Sequence, residues 1–151
     1  MIEIYLDGLC QPVNPCGIAC YAFIVKKDGK NIKSDYGTAG EPFTKDATNN
    51  VAEYTALIKV LEWLLANNLN SECLQINSDS QLVVKQLNGE YKVKSKRILP
   101  LYREVLQLKN KFKDIDIRWI AREENNEADA LTNKAYMRAL QDNPEYLDRI
   151  L

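Results

Sequence analysis

Residues 2–8 read IEIYLDG, and this stretch decides how the chain begins to fold. The apolar side chains Ile2, Ile4 and Leu6 alternate with polar neighbours, which predicts a β-strand with one buried face. Asp7 follows directly, so we expect a carboxylate at the end of this first strand. Everything else in the fold prediction is placed relative to that strand.

The segments that follow predict an α/β fold, with three antiparallel strands first and helix-linked strands after them. An Asp-Gly pair at 28–29 indicates a hairpin turn, so the first three strands are expected to be antiparallel. Later strands are linked by helices, and such crossovers make them parallel to the first. The predicted strands are 2–6, 21–25, 30–36, 74–77 and 116–120, and the predicted helices are 48–67, 80–88, one after Pro100, and 125–140.

A length of 151 residues is enough for one domain with a substantial core. We predict a domain at 1–140 and a tail at 141–151 that packs on the same domain. No apolar run approaches a membrane span and the N-terminus lacks a signal-peptide pattern, so the expected location is cytoplasmic, without a membrane partner. The four cysteines have no histidine beside them and no zinc-type spacing. Reduced thiols are therefore favoured over a structural zinc site.

Charge is unevenly distributed although the net charge is only −1. Residues 85–113 contain nine basic and two acidic side chains, a net charge of +7, which leaves −8 for the remainder. This asymmetry predicts a basic face beside an acidic site. Its most basic stretch is YKVKSKR at 91–97, which is interpreted either as a solvated surface or as a contact to a nucleic-acid backbone.

Four carboxylates, each near a predicted element boundary, are the candidate catalytic and metal-binding residues: Asp7, Glu53, Asp79 and Asp129. Each lies in a run of small and amide residues. Mg²⁺ prefers oxygen ligands and usually takes a few carboxylates together with substrate phosphate, so the pattern indicates phosphoryl-transfer chemistry. The structural alternative is that these acids cap helices, and Asp79 does precede a predicted helix.

The motifs around these acids resemble type 1 ribonuclease H, in order and spacing, over roughly 1–140. They are Asp7-Gly8, Thr48-Asn49-Asn50 before Glu53, Asp79-Ser80-Gln81, and Asn126-Glu127-Ala128-Asp129. The resemblance implies an RNase H-like fold, with a mixed five-stranded sheet and helices on both faces. It also implies an endonuclease that cleaves the RNA strand of RNA–DNA hybrids. The products would carry 5′-phosphate and 3′-hydroxyl ends. Two Mg²⁺ ions per site are implied as cofactors, with Mn²⁺ as a substitute.

The resemblance also assigns roles to individual residues. Asp7 would bridge both metals, Asp79 would help hold the metal that activates water, and Glu53 and Asp129 would hold the other. Contacts to the RNA strand are implied for Asn14, Asn50 and Gln81, together with the backbone near Cys10 and Asn49. Contacts to a phosphate of the DNA strand are implied for Thr48 and Asn126. Candidate backbone contacts are Lys92, Lys94, Lys96 and Arg97.

The chain departs from the family pattern at several positions. It has no histidine in the loop before the last aspartate, where Arg122 and Glu124 are candidate auxiliary residues. The basic protrusion of some bacterial members is missing. The pattern is more similar to that of members without the protrusion, which include archaeal ones. Asp46 stands where a basic residue is common, and Cys16 stands where glycine is common. If that position requires a positive φ angle, Cys16 is strained.

Two rival functions are weighed against a hybrid-cleaving enzyme. Another nuclease or integrase on this fold is one, because fold alone does not determine function. A hybrid-binding module without catalysis is the other, but such a module has no need for mutually repelling carboxylates. We expect a monomer without an obligate protein partner. Trp63 and Trp119 are both predicted to be core residues.

Overall fold

The computed structural model describes residues 1–151 as a sheet of five strands with helices on both faces. The strands are β1 (Ile2–Gln11), β2 (Ile18–Lys27), β3 (Lys30–Ala39), β4 (Cys73–Ser78) and β5 (Asp114–Trp119). The helices are α1 (Asn49–Ala66), α2 (Gln81–Leu87), α3 (Leu99–Lys109), α4 (Asn126–Asp142) and α5 (Tyr146–Ile150), with a 3₁₀ turn at Arg122–Glu124.

The sheet order is β3-β2-β1-β4-β5. β2 is antiparallel to both β1 and β3, whereas β4 is parallel to both β1 and β5. Asp28 and Gly29 both have positive φ angles, as a two-residue hairpin turn of the primed type requires. This arrangement confirms the predicted mixed sheet.

The first strand is longer than predicted, and this changes the position of Asp7. β1 pairs with β2 along its whole length, but its pairing with β4 ends at Leu6 opposite Ser78. Asp7 therefore lies inside a strand and not at its end, so that prediction is wrong. The residue still lies at the edge of the parallel pairing, one position beyond the last β1–β4 pair. The sequence pattern ended early because Asp7 and Gly8 interrupt the apolar alternation.

Two hydrophobic cores lie on opposite faces of the sheet. The larger core contains Ile2, Ile4 and Leu6 of β1 together with the apolar stripe of α1, and α2 and α3 extend it. The smaller core contains Ile18 and Cys20 of β2 against α4. Alternate residues of β2 contribute to each core, because side chains in a strand point to opposite faces.

Helix α1 begins and ends where its sequence predicts. Thr48 is the N-cap, and its side chain accepts a hydrogen bond from the Val51 N–H at 3.0 Å. Asn67 is the C-cap. The helix is buried on more than one face, because it packs on β1 and β2 on one side and on α3 on another. The site end of α1 is therefore held firmly against the sheet.

Several element boundaries differ in detail from the predicted ones. Helix α4 continues to Asp142, beyond the predicted boundary at 140. In the tail, the Tyr146 ring contacts the Phe43 ring edge to face, with centroids 5.3 Å apart, while Leu151 is exposed. The basic stretch 91–97 lies outside helices and strands, with Lys92, Lys94 and Lys96 exposed. No helix in the structure combines the length and apolarity needed to span a membrane.

Candidate metal centre and nucleic-acid interface

Three carboxylates from separate elements converge beside the end of the parallel strands. Asp7 comes from β1, Glu53 from α1, and Asp79 from the residue that follows β4. One oxygen of each lies within 4.8 Å of the others. Oxygen atoms this close to one another can share a divalent cation.

Gly8 allows the helix that carries Glu53 to approach the strand that carries Asp7. A Cβ atom built on Gly8 would lie 2.7 Å from the Glu53 backbone nitrogen and 2.8 Å from the Ala52 Cβ. Contacts that short do not occur, so any larger residue would push α1 away from β1. The glycine of the Asp7-Gly8 motif therefore has a packing reason: it sets the separation of two carboxylates.

The electrostatic environment penalises these carboxylates when they are ionised without a cation. Burial, and then the charge of Asp79, raise the pKa of Asp7 from 3.8 to about 7. Burial raises the pKa of Glu53 well above 4.5, and the charges of Asp7 and Asp79 raise it further. Buried carboxylates with like-charged neighbours are common at functional sites.

One polar atom of this cluster has no hydrogen-bond partner. The Oε2 atom of Glu53 is buried and unpaired. Buried polar atoms are nearly always hydrogen-bonded, so an orphaned carboxylate oxygen needs an explanation. A cation between Asp7, Glu53 and Asp79 would satisfy it and would also relieve the repulsion among the three charges. The donor set therefore fits the hard divalent cation that the resemblance implies.

Asp129 lies near Asp7 but outside the group of three. It is exposed in the first turn of α4 and lines a hollow with Asp7, Gly8 and Arg122. Its charge contributes to the raised pKa of Asp7. Asp7 thus has three carboxylate neighbours, Glu53, Asp79 and Asp129.

Two residues that the sequence analysis missed lie against the carboxylates. The Asn125 side-chain amide donates to the Leu6 carbonyl at 2.8 Å and to Asp79 Oδ2 at 3.2 Å. The Thr132 hydroxyl lies 3.5 Å from Asp7 Oδ2. Asn125 occupies the N-cap position of α4 without capping it, and only the tertiary structure reveals this use of its side chain.

Asp79 does not cap helix α2, which was the structural alternative for this residue. The N-cap of α2 is Ser80, whose hydroxyl accepts from the Val83 N–H at 3.2 Å. The Asp79 carboxylate is instead directed toward the cluster with Asp7 and Glu53. The capping interpretation is therefore wrong for this residue.

The loop after β1 is docked against the N-terminus of α1. Asn14 Oδ1 accepts a hydrogen bond from the Asn49 N–H at 3.1 Å. The Cys10 thiol lies 3.2 Å from the Ala47 carbonyl, which also accepts from the Cys16 N–H at 3.1 Å. Cys16 has a positive φ angle of 74°. This is the conformation that glycine adopts without cost and that strains a residue with a side chain, as the sequence predicted for this position.

Thr48 lies in a polar hollow with a basic rim. Asn14, Lys45, Asn50, Ser95 and Arg97 also line it. Arg97 Nε is 2.7 Å from Asp46 Oδ1. The Arg97 guanidinium, from the basic stretch, therefore lies beside Asp46, the position at which family members often have a basic residue.

The other candidates lie around the carboxylates in different places. Asn126 and Glu124 line a hollow with Tyr5 and Lys26, whereas Thr48 lines a different one. Gln81 is exposed at the start of α2, next to Trp119. Trp119 is 48% exposed, so its assignment to the core is wrong, whereas Trp63 packs against the larger core.

Comparisons with known proteins agree with this description. The family model described as reverse transcriptase-like matches residues 31–135. The chain is 34% identical over 134 residues to Ribonuclease HI of Halobacterium salinarum, covering 89% of this chain and 63% of that protein. It is 41% identical over 95 residues to a bifunctional protein of Mycobacterium tuberculosis, covering 63% of this chain but only 26% of that protein. The chain thus spans about a quarter of that relative.

A solved structure extends the match over almost the entire fold. LC11-RNase H1, from a compost metagenome and in complex with an RNA/DNA hybrid, superimposes with a TM-score of 0.82 at 33% identity. The match covers 93% of this chain and 99% of that one. Sequence, sheet order and these relatives agree, and the resemblance inferred from the motifs is confirmed. The chain belongs to the type 1 ribonuclease H family of enzymes.

Proposed function

We propose that this protein is an endoribonuclease that cleaves the RNA strand of RNA–DNA hybrids by two-metal hydrolysis and leaves 5′-phosphate and 3′-hydroxyl ends. The observation that carries the proposal is the meeting of Asp7, Glu53 and Asp79, with oxygens within 4.8 Å, in a chain of this family. A binding module that had lost catalysis would gain nothing from this repulsive arrangement.

The cations, Mg²⁺ with Mn²⁺ as a substitute, would be held by four carboxylates: Asp7, Glu53, Asp79 and Asp129. Two bound cations supply charge stabilisation for the attacking and leaving oxygens of a phosphodiester. The protein's part is to fix the ligands: Asn125 orients Asp79, and Gly8 lets Glu53 approach Asp7. Supporting contacts of this kind normally tune metal affinity.

The surrounding amides suit the recognition of a hybrid. The wide minor groove of such a duplex displays 2′-hydroxyl groups, which both donate and accept hydrogen bonds. Asn14, Asn50 and Gln81 offer amides with both capacities. Thr48, Lys45 and Arg97 form a basic hollow suited to a phosphate of the other strand. The hybrid bound to LC11-RNase H1 supports this assignment, although it belongs to that protein.

Arg122 and Glu124 occupy the loop that lacks histidine, and the two have different surroundings. Arg122 lines the hollow of Asp7 and Asp129, where its guanidinium would meet a phosphate oxygen. Glu124 lines the hollow on the Tyr5 and Lys26 side. We therefore assign the auxiliary role to Arg122 in preference to Glu124.

The decisive experiment is cleavage of an end-labelled RNA–DNA hybrid with and without Mg²⁺. Single-stranded RNA, duplex RNA and duplex DNA of the same sequence are the controls, and an Asp7→Asn protein tests the site. We expect Mg²⁺-dependent cleavage of the RNA strand in the hybrid, and none by Asp7→Asn. Cleavage of duplex DNA alone would favour another nuclease on this fold, and binding without cleavage would favour a binding module.

The physical state of the protein is a separate part of the proposal. We propose a monomer that acts without an obligate protein partner, located in the cytoplasm. Light scattering of the protein alone and with a short hybrid tests the first point. A dimer in the absence of substrate would contradict it.

A further inference from the structure

Trp119 is held at the edge of the carboxylate cluster although its ring is largely uncovered. It is the last residue of β5 and is 48% exposed. Its indole Nε1–H donates a hydrogen bond of 3.2 Å to the Asp79 backbone carbonyl. A hydrogen bond therefore links the exposed aromatic ring to the main chain of a proposed metal-binding residue.

The exposure has a local cause. Ile115, Ile117 and Trp119 alternate along β5 and point to the face covered by α2, which is why the pattern resembles a core stripe. Helix α2 has only seven residues and starts at Gln81. The ring therefore lies beside the first turns of α2 and is not covered by the helix.

A hollow of about 200 Å³ lies next to the ring. Its other lining residues are Gln81, Val84, Lys85 and Glu90. The Lys85 ammonium is 5.0 Å from the centre of the Tyr91 ring, and Tyr91 is itself 50% exposed. The Trp119 ring and the side chains of Gln81, Lys85 and Glu90 thus surround one small space that opens to solvent.

We propose that this hollow is a subsite for one ribose-phosphate unit of the RNA strand, with Trp119 packing on the sugar. The inference rests on the proposed function and deepens it. The indole N–H is already donated to Asp79, so the ring offers substrate only its apolar surface. Bases inside a duplex are stacked away from such a ring, whereas its sugars face the minor groove.

The polar neighbours complete the recognition of this unit. Gln81 can donate to and accept from a 2′-hydroxyl, and Lys85 provides a positive charge for the adjoining phosphate. Because Trp119 is hydrogen-bonded to the Asp79 backbone carbonyl, a sugar packed on the ring would lie close to the metal-binding carboxylates. Trp119 is thus a substrate-contact residue that also favours RNA over DNA at this position.

Fluorescence tests the contact directly, because the chain has only two tryptophans. A Trp63→Phe variant leaves Trp119 as the sole tryptophan, and an added Asp7→Asn change prevents turnover. Titration with the RNA–DNA hybrid in Mg²⁺ should shift the emission of Trp119 to the blue and protect it from iodide quenching. Duplex DNA should do so less. Emission and quenching that do not change at saturating hybrid would overturn the subsite.

Kinetics supplies the second measurement. Trp119→Ala should raise KM for the hybrid by roughly five- to tenfold, because the sugar loses an apolar packing surface. Trp119→Phe keeps a ring and should retain most of the affinity, and Trp63→Phe is the matched control. A KM within twofold of the parent protein for a folded Trp119→Ala variant would contradict the proposal.

The two proposals fail in different ways. If the parent protein cleaves the hybrid while Trp119 emission is unaffected, the subsite is wrong and the function stands. If Trp119 responds to the hybrid but the parent protein does not cleave it, the function is wrong and the subsite stands.

Discussion

The Asn125 side-chain amide bridges the Leu6 carbonyl of β1 and the Asp79 carboxylate, at 2.8 Å and 3.2 Å. Leu6 is the last residue of β1 that pairs with β4, and Asp79 follows the end of β4, so one buried side chain fixes the Asp79 carboxylate, a proposed metal ligand, to the central strand. Its remaining oxygen is buried and unpaired. The residue therefore acts as a support for Asp79.

Asn125→Ala should weaken metal binding more than it weakens the fold. Loss of a supporting contact typically costs 10- to 100-fold in metal affinity or activity, so the Mg²⁺ concentration for half-maximal cleavage should rise by about that factor. Asn143→Ala, which removes a hydrogen bond to Ala139 at the far end of α4, is the matched control. An unchanged Mg²⁺ dependence in Asn125→Ala would contradict the supporting role.

Gly8→Ala should abolish most activity by separating Glu53 from Asp7. The added methyl group would meet backbone atoms of α1, which cannot move aside as a flexible side chain can. Overpacking of this kind typically costs about 1–3 kcal/mol of stability. Gly37→Ala in β3, where the methyl group meets only the Tyr21 ring, is the control. Urea unfolding and a cleavage assay distinguish the two, and equal behaviour would refute the packing argument.

Asp7→Asn should stabilise the metal-free protein at high pH while it abolishes cleavage. The folded-state pKa of Asp7 is raised from 3.8 to about 7, so its contribution to stability is greatest below pH 3.8 and is lost as pH rises to about 7. In EDTA, the parent protein should therefore lose stability over that window relative to Asp7→Asn. A pKa difference of one between the folded and unfolded states corresponds to about 1.4 kcal/mol of stability.

Unfolding in urea at about pH 5 and pH 8 measures this difference. Added Mg²⁺ at the higher pH should restore the stability of the parent protein and have little effect on Asp7→Asn. Parallel pH profiles for the two proteins in EDTA would show that ionisation of Asp7 does not cause the loss of stability.

Lys94→Ala with Lys96→Ala should weaken hybrid binding and flatten its salt dependence. Each lost phosphate contact lowers the slope of log affinity against log salt by roughly one. Lys30→Ala with Lys113→Ala removes the same charge at the opposite end of the sheet and serves as the control. Equal slopes in the two double variants would assign Lys94 and Lys96 to the solvated surface.

Local patterns were sufficient for the element types and for which strands run antiparallel or parallel to the first. The alternation in residues 2–6, the Asp-Gly turn at 28–29 and the apolar stripe of α1 each depend on near neighbours in the chain, so they are visible in the sequence. The motifs also located the four acidic residues, because each motif is a short string with a recognisable order.

What the sequence by itself determined is the set of elements, the family and the identities of the carboxylates. Only the tertiary structure decided that Asp7 lies inside β1, that Asn125 supports Asp79, and that Trp119 is exposed. These facts depend on where α1, α2 and α4 end up relative to the strands, and packing between distant segments sets those positions. A short sequence window contains no information on how far α2 extends over β5, or on which acceptor a buried amide will reach.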